Sequence, residues 1–331
     1  MSQLPEMVQV LLDPKIYPER PQHVEMVQTQ MSFVFLTDEH VYKVKKPVDL
    51  GYLNYTTLEK RHGFCEKEVE LNRRLCPEAY LGVVAITRGR GSYSINGEGK
   101  TVEYAVKMRR LPQDAMLDVL LAKNRVTPGM IGGVAERVAE FHRRAEVISS
   151  FGDVDTLTTN TEENFSQTEG YIGRTISRER FEHIRDWTRG FIKSHASLFR
   201  QRIAEGRIRD CHGDLHAAHI CFTDGICIYD CIEFNDRFRY CDVAAEVSFL
   251  AMDLDRYGRG DLSQHFVDAY VERSGDRELL RLLGYYKCYF ACVRGKVNNF
   301  QLDDPHISGG EKERIQGVAR RYFELAEGYI R

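Results

Sequence analysis

Between residues 32 and 46 apolar side chains fall on every second position: SFVFLT (32–37), then DEH, then VYKVKK (41–46), with Pro47 closing the second run. That period predicts a hairpin of two half-buried strands. From Thr57 to Leu75 the spacing lengthens to three and four. Phe64, Val69, Leu71 and Leu75 fall at helical spacing together with Glu68, and Pro77 stops the predicted helix. Residues 80–108 return to alternation and turn at Asn96-Gly97, predicting two further strands. The N-terminal third therefore reads as a mainly β unit with one helix. After LPQD (111–114) the pattern becomes helical through AMLDVLLAKN and MIGGVAERVAEFHRRA. The polar stretch 152–170 reads as a loop or insertion, and helical periodicity resumes over 178–205. Two short apolar runs, HICF and ICIYDCIEF, flank Thr223-Asp224-Gly225 and predict a second hairpin. Everything from Asp242 onward is predicted helical, and no internal repeat or low-complexity tract interrupts the chain.

With 331 residues and 43% apolar content, the chain can bury a large core, and its length predicts two domains or lobes. The change of period places the division at 108, giving 1–108 and 109–331. Lys+Arg 46 against Asp+Glu 49 leaves a net charge of −3, which gives no reason to expect nucleic acid or a membrane as partner. No apolar run approaches the roughly 18 residues of a membrane span. MSQLPEMVQV lacks a basic segment followed by an apolar one, so the expected location is the cytoplasm. Nine cysteines, without a CxxC pair, predict reduced thiols rather than a disulfide framework. Cys211, Cys221, Cys227, Cys231 and Cys241 cluster near three histidines, but no zinc-ligand spacing is present and several sit in apolar strand context. A zinc protein is thus the weakest of the functional readings.

The stretch CHGDLHAAHI (211–220) places Asp214 among His212, His216 and His219, directly before the second hairpin, and that hairpin ends in another acid, Asp230. In phosphoryl transfer one acid accepts or orients the proton of the attacking group, while a second acid with a carbonyl- or amide-bearing side chain holds magnesium on the phosphates. Two carboxylates at one end of a small hairpin suit that division of labour.

HGDLHAAH followed by IYDCIEFN resembles the catalytic loop and metal-binding segment of the aminoglycoside phosphotransferase-like branch of the protein-kinase-like superfamily, whose loop runs HGDLHxxN. VYKVKKPVDLGYLNYTTLEKR, CEKEVELNRRL, DCIEFNDRFRYCDVAAEVSFLAMDLD and YKCYFACVRGKV extend the likeness to an uncharacterised group of phosphotransferase-like proteins, sometimes fused to a P-loop kinase domain. This chain contains no GxxxxGK[ST] and is expected to be the phosphotransferase-like unit alone. The resemblance implies an α+β, two-lobed protein-kinase-like fold: a small, mainly β N-lobe with one helix and a larger helical C-lobe carrying the catalytic hairpin. It implies Asp214 as catalytic base, Asp230 as magnesium ligand, and ATP as donor to a hydroxyl or amine of a small-molecule acceptor. His216 would donate to the terminal phosphate, with packing as its alternative, and His212 would be a scaffold. The acid corresponding to Asp242 braces the catalytic loop in the superfamily, and here that residue also looks like a helix N-cap. His219 is the departure, because the pattern has asparagine there. A neutral imidazole can ligate a divalent ion, although it is a softer ligand than an amide oxygen. The alternative is a nucleotide-binding pseudokinase acting as a regulatory or interaction module. Glu233 and Asn235 are candidate compensating ligands.

Such enzymes place a strand lysine on the phosphates and a helix glutamate on the lysine. Period-two alternation favours Lys43, whose neighbour on the same face is Val41, over Lys45, whose neighbour would be Lys43. Glu68 shares its helix face with Leu71 and Leu75 and is the expected partner. Adenine is expected against Met108 to Arg110, with Met108 packing on the base; Thr29 and Ser32 stand where a glycine-rich loop would be. The acceptor region, about 150–205 and 245–331 by analogy, carries Asp253, Asp255 and Asp261, which would suit a cationic acceptor, and Lys287, Arg294 and Lys296, which would pair with acids or meet an anionic one. Oligomeric state is not legible.

Overall fold

In the computed structural model, which describes residues 4–89, 91–148, 151–304 and 307–330, a short helix α1 (Glu6–Val10) precedes the hairpin of the alternating segment. That hairpin is β2 (Ser32–Leu36) and β3 (His40–Lys45), and an additional strand, β1 (Glu25–Gln28), pairs along the edge of β2. Three of the four β1 side chains are exposed, so no alternation marks it in the sequence. Helix α2 (Leu58–Asn72) starts where Thr57 accepts the backbone N–H of Lys60. The 80–109 stretch forms three strands rather than two: β4 (Tyr80–Gly89), β5 (Ser92–Ile95) and β6 (Lys100–Arg109). The Asn-Gly turn joins β5 to β6, while a second turn that alternation does not reveal separates β4 from β5. The strand order is β1-β2-β3-β6-β4-β5, antiparallel throughout, so β3 lies between two partners.

Helix α3 (Leu117–Ala122) leads to α4 (Pro128–Arg144), capped by Thr127 with proline in its first turn. The polar stretch predicted as a loop is helix α5 (Val154–Thr168). Asp153 caps it, and its inner face is built from Thr161, Asn164, Phe165 and Thr168, a combination without the aliphatic stripe that periodicity detects. The 178–205 segment is two helices, α6 (Arg178–Ser194) and α7 (Ala196–Ala204), broken at His195. Then come β7 (Ile208–Asp210), the predicted second hairpin β8 (Ile220–Phe222) and β9 (Ile226–Ile228), and a one-turn helix α8 (Asp236–Arg239). Strand β10 (Tyr240–Asp242) pairs with β7, and helices α9 (Val243–Arg256), α10 (Gly260–Ser274), α11 (Leu283–Gln301) and α12 (Gly309–Gly328) complete the chain.

The backbone groups into two compact units, Met1–Val119 with Ala218–Asp236, and Leu120–Ala217 with Arg237–Arg331. A single cut at 108 does not describe this, because the β8–β9 hairpin belongs with the N-terminal unit. There Cys221 and Cys227 pack into a core with Cys65, Val69, Tyr80, Val106 and Met116. Cys76 and Cys227 are joined as a disulfide across 151 residues of sequence, which corrects the expectation of nine reduced thiols. The cause is proximity that sequence spacing does not contain: the loop after α2 and the middle of β9 bring the two Cα atoms to 4.7 Å. The second unit has its own core, in which Ile184, Phe249, Met252, Ala291, Ala319 and Phe323 are buried. Among the described residues no helix is long and apolar enough to cross a membrane.

Candidate active site

In the N-terminal unit, strand alternation sends Lys43 and Lys45 to the same side of β3, toward α2. Glu68, fully buried on α2, divides its carboxylate between them: Oε1 lies 2.9 Å from the Lys43 ammonium and Oε2 2.6 Å from that of Lys45. Lys43 also donates to Asp230 Oδ1 at 2.6 Å, whereas Lys45 donates to Glu233, which in turn accepts from the Tyr55 hydroxyl at 2.6 Å. Burial disfavours both ammonium charges. The carboxylates override it, Asp230 foremost at Lys43 and Glu233 at Lys45, and both lysines stay protonated far above neutrality. Burial likewise opposes the Glu233 carboxylate, yet Lys45 and Lys43 hold it below its usual range.

The two lysines are thus not alternatives for one position. Lys45 is 2% exposed and closed in by acids and the Tyr55 ring, while the Lys43 side chain retains 17% exposure. Glu233 belongs to the Lys45 pair, and the Asn235 amide donates to the Tyr52 carbonyl at 3.1 Å, so both have structural partners.

Asp230 is held by its backbone. Its N–H donates to the Tyr80 hydroxyl at 3.2 Å, and the next N–H, of Cys231, donates to Asn72 Oδ1 at 2.9 Å. Asp230 itself has φ +64°, in the left-handed region that costs a residue with a Cβ about 1 kcal/mol or more. With the backbone fixed this way, the side chain remains 40% exposed, and its second oxygen lies 3.6 Å from His219 Nε2. His219 and Asp230 are therefore neighbours, as metal ligation by both would require.

The positions expected around adenine are mixed. Met108 pairs in register with both Val41 and Tyr80, and its side chain packs on the core that contains Val106 and Met116. The N–H groups of Arg109 and Arg110 already donate to Ala79 and Glu39 carbonyls, and the Arg110 guanidinium donates to the Thr37 carbonyl at 2.7 Å. Thr29 closes the β1–β2 turn by accepting the Ser32 N–H at 2.9 Å.

In the second unit, the HGD loop is anchored from below. Glu246 on α9 accepts the N–H groups of His212 at 2.7 Å and Gly213 at 2.6 Å with one oxygen, and its other oxygen lies 2.7 Å from His142 Nε2. His142 Nδ1 is 2.8 Å from the Tyr270 hydroxyl. Burial opposes a charge on His142, but hydrogen bonds with Cys211 and with the Glu246 carboxylate override it and raise the imidazole to about 9. Gly213 has φ +86°, a turn that a side chain would strain. The loop brace expected at Asp242 is therefore Glu246, one helical turn later. Asp242 caps α9 through the Ala244 N–H and pairs with buried Arg202. The capping role of Asp242 is readable from its position before the helix, whereas the long-range backbone contact made by Glu246 is not. Asp214 emerges from this loop 30% exposed, with Oδ2 3.6 Å from the Nε2 of buried His216.

His142, Cys211 and Glu246 lie close enough to share a metal ion, but each already has a hydrogen-bond partner, Cys211 donating to the Cys241 carbonyl at 3.6 Å. Burial pushes the Cys211 thiol well up and that of Cys221 to about 11, keeping both neutral and poor ligands.

No protein-family model matches the chain. The protein Rv2004c of Mycobacterium tuberculosis, itself uncharacterised, is 33% identical over 278 residues, and a Mycobacterium bovis protein, Mb2027c, matches equally. That alignment covers 83% of this chain but 54% of those proteins, so the chain spans about half the length of the curated relatives it matches. Among solved structures, a choline/ethanolamine kinase family protein from Mesorhizobium loti aligns with a TM-score of 0.54 at 12% identity, covering 97% of this chain and 98% of that one. The ADP-bound aminoglycoside phosphotransferase APH(2'')-Ib aligns at 0.52 and 14% identity, covering 96% and 99%. These likenesses establish the fold as the two-lobed, protein-kinase-like α+β architecture shared by aminoglycoside phosphotransferases and choline/ethanolamine kinase family proteins.

Proposed function

We propose, with the protein-kinase-like fold as premise, that the chain is an ATP- and magnesium-dependent phosphotransferase that moves the γ-phosphate of ATP to a hydroxyl or amine of a small-molecule acceptor. The observation that carries the reading is the ionic chain Glu68–Lys43–Asp230: one partly exposed lysine, held by a buried helix glutamate, touching an exposed strand-end acid. Phosphoryl transfer needs such a lysine for the phosphates and such an acid for the metal.

Asp214 is the base in this reading. The acceptor O–H or N–H gives it a proton as the new bond to phosphorus forms, and the bond from the γ-phosphorus to the β–γ bridging oxygen breaks to release ADP. His216 would donate to the transferring phosphate. Lys43 would hold the phosphates in register, Glu68 would aim Lys43, and Met108 would pack on adenine, with Arg110 supporting the strand end. Magnesium is held by few protein carboxylates and by substrate phosphates, so one partly exposed carboxylate with a neighbouring imidazole is an adequate donor set. Asp230 and His219 would hold the ion, which would neutralise charge on the β- and γ-oxygens.

The test is ADP formation with Mg2+ and then Mn2+. Asp214→Ala should abolish transfer and keep nucleotide affinity; Asp230→Ala should weaken metal-dependent nucleotide binding. Transfer that survives Asp214→Ala sinks the assignment. A second reading, a nucleotide-binding regulatory module, is favoured by one observation only, His219 in place of asparagine; an inactive protein that gains transfer on His219→Asn supports it.

A further inference from the structure

The charge around Asp214 within the second unit is not that of a site for a cation. Asp253, Asp255 and Asp261 all have committed partners. Asp253 accepts from Arg256 at 2.8 Å and from the Ala217 N–H at 2.9 Å; Asp255 accepts from Lys287 at 2.9 Å and Tyr329 at 2.6 Å; Asp261 accepts from Arg259 at 2.7 Å. The Asp253 carboxylate is held below its usual range, burial opposing and Arg256 prevailing. None of the three offers an unmatched negative charge to a ligand amine.

Arg294 on α11 differs. Its Nη1 lies 3.5 Å from His216 Nε2, the same nitrogen that stands 3.6 Å from Asp214 Oδ2. Its Nε is buried and has no hydrogen-bond partner among the described residues. That donor is out of a ligand's reach, so an oxyanion would bond the remaining nitrogens of a residue that is only partly buried, through charge-assisted hydrogen bonds. The groups that face Arg294 are Asp214 and His216 from the HGD loop, Asp253 from α9, itself paired with Arg256, and Tyr322 from α12. Burial opposes the Arg294 charge, but Tyr322, Asp214 and Asp253 maintain it. The His216 ring packs in turn on buried Phe249, which stacks on Phe290 at 4.2 Å, so the imidazole beside Arg294 is held by the core.

We propose that Arg294 is the acceptor-recognising residue, and that the acceptor is a small hydroxy compound bearing an oxyanion, a carboxylate or a phosphate, rather than an aminoglycoside-like cation. This rests on the phosphotransferase reading, with Asp214 taking the proton of the hydroxyl. A planar fork of donors suits a carboxylate or phosphate. Placed one residue from the base, it would bring a hydroxyl a few bonds from the anionic group toward Asp214.

Four compounds on one carbon skeleton test it: glycerol, D-glycerate, glycerol 3-phosphate and 3-amino-1,2-propanediol. Each is added at millimolar concentration to the full chain with Mg-ADP for thermal shift, and with Mg-ATP for ADP formation. One or both anionic members should raise the melting temperature, the carboxylate and phosphate arms separating the two anion types, while the neutral and cationic members should not. Arg294→Met should weaken that binding by roughly 10- to 100-fold, the scale of a lost charge-assisted hydrogen bond. Arg294→Lys, which keeps the charge but loses the fork, should retain part of it and controls for folding. A shift that persists in Arg294→Met, no shift with either anion, or preference for the amine overturns the proposal. Transfer to the amine would leave the phosphotransferase reading standing without the anion site. Arg294-dependent anion binding with no ADP formed from any member would leave the anion site standing without phosphotransfer.

Discussion

Lys43 and Asp230, 187 residues apart, meet at 2.6 Å. The ammonium thus rests on the carboxylate proposed to hold magnesium, and Mg-ATP would replace that contact with two others: lysine to phosphate and aspartate to metal. Lys43→Met should therefore raise the concentration of Mg-ATP needed for half-saturation by tenfold or more while changing the melting temperature little. Isothermal titration with Mg-ATP measures the first and a thermal melt the second.

Lys45 should behave in the opposite way. Its side chain is 1% exposed and pairs with Glu68 and Glu233. Lys45→Met would leave buried carboxylate charge uncompensated, a loss on the order of 3–5 kcal/mol. Urea denaturation should show it as a clear drop in midpoint, and a variant as stable as the wild type would contradict the role.

This pair shows where sequence reasoning stops. Alternation places both lysines on one face, and helical spacing places Glu68 on the inner face of α2. Neither can tell that Glu68 faces both lysines, because Glu233 and Tyr55, which close off Lys45, are 178 residues apart and meet only after folding. The HGD loop and the strand-end acid are legible because their chemistry is local. Glu246, His142 and Tyr270, which hold that loop, are not, since they come from three helices and nothing in their spacing marks them. Helix α5 is illegible for a different reason: its buried face is threonine and asparagine around the single aromatic Phe165, so capping by Asp153 is the available signal.

The charge on His142 predicts a pH dependence with a definite sign. Its folded value of about 9 exceeds the ordinary 6.5. The stabilisation is thus complete below about pH 6.5 and disappears as pH rises to about 9. Denaturation midpoints between pH 6 and 9.5 should fall in the wild type and flatten in His142→Gln, which should be less stable at pH 6.

Metal preference tests His219. An imidazole near Asp230 suits Mn2+ better than Mg2+. Wild-type ADP formation should be faster with Mn2+, and His219→Asn should move the preference toward Mg2+ by several-fold. Equal response of both proteins to both ions would remove His219 from the metal shell.

The disulfide gives a chemical count. Of nine cysteines, Cys76 and Cys227 are joined and the other seven are not. Alkylation in denaturant without reductant should add seven groups by mass spectrometry, and nine after reduction.

Because Ala218–Asp236 packs with Met1–Val119, the N-terminal unit is not continuous in the chain. During synthesis its sheet and α2 emerge long before Asp230, Glu233 and Cys227 exist. Until about residue 236 has cleared the ribosome, Lys43 and Lys45 have only Glu68, and Cys76 lacks its bonding partner. Domains that fold in sequence order as they are made cannot include this one. The nascent chain must hold an incomplete first unit while roughly a hundred residues of the second are translated, which makes that interval the chain's period of greatest exposure to aggregation and chaperone capture.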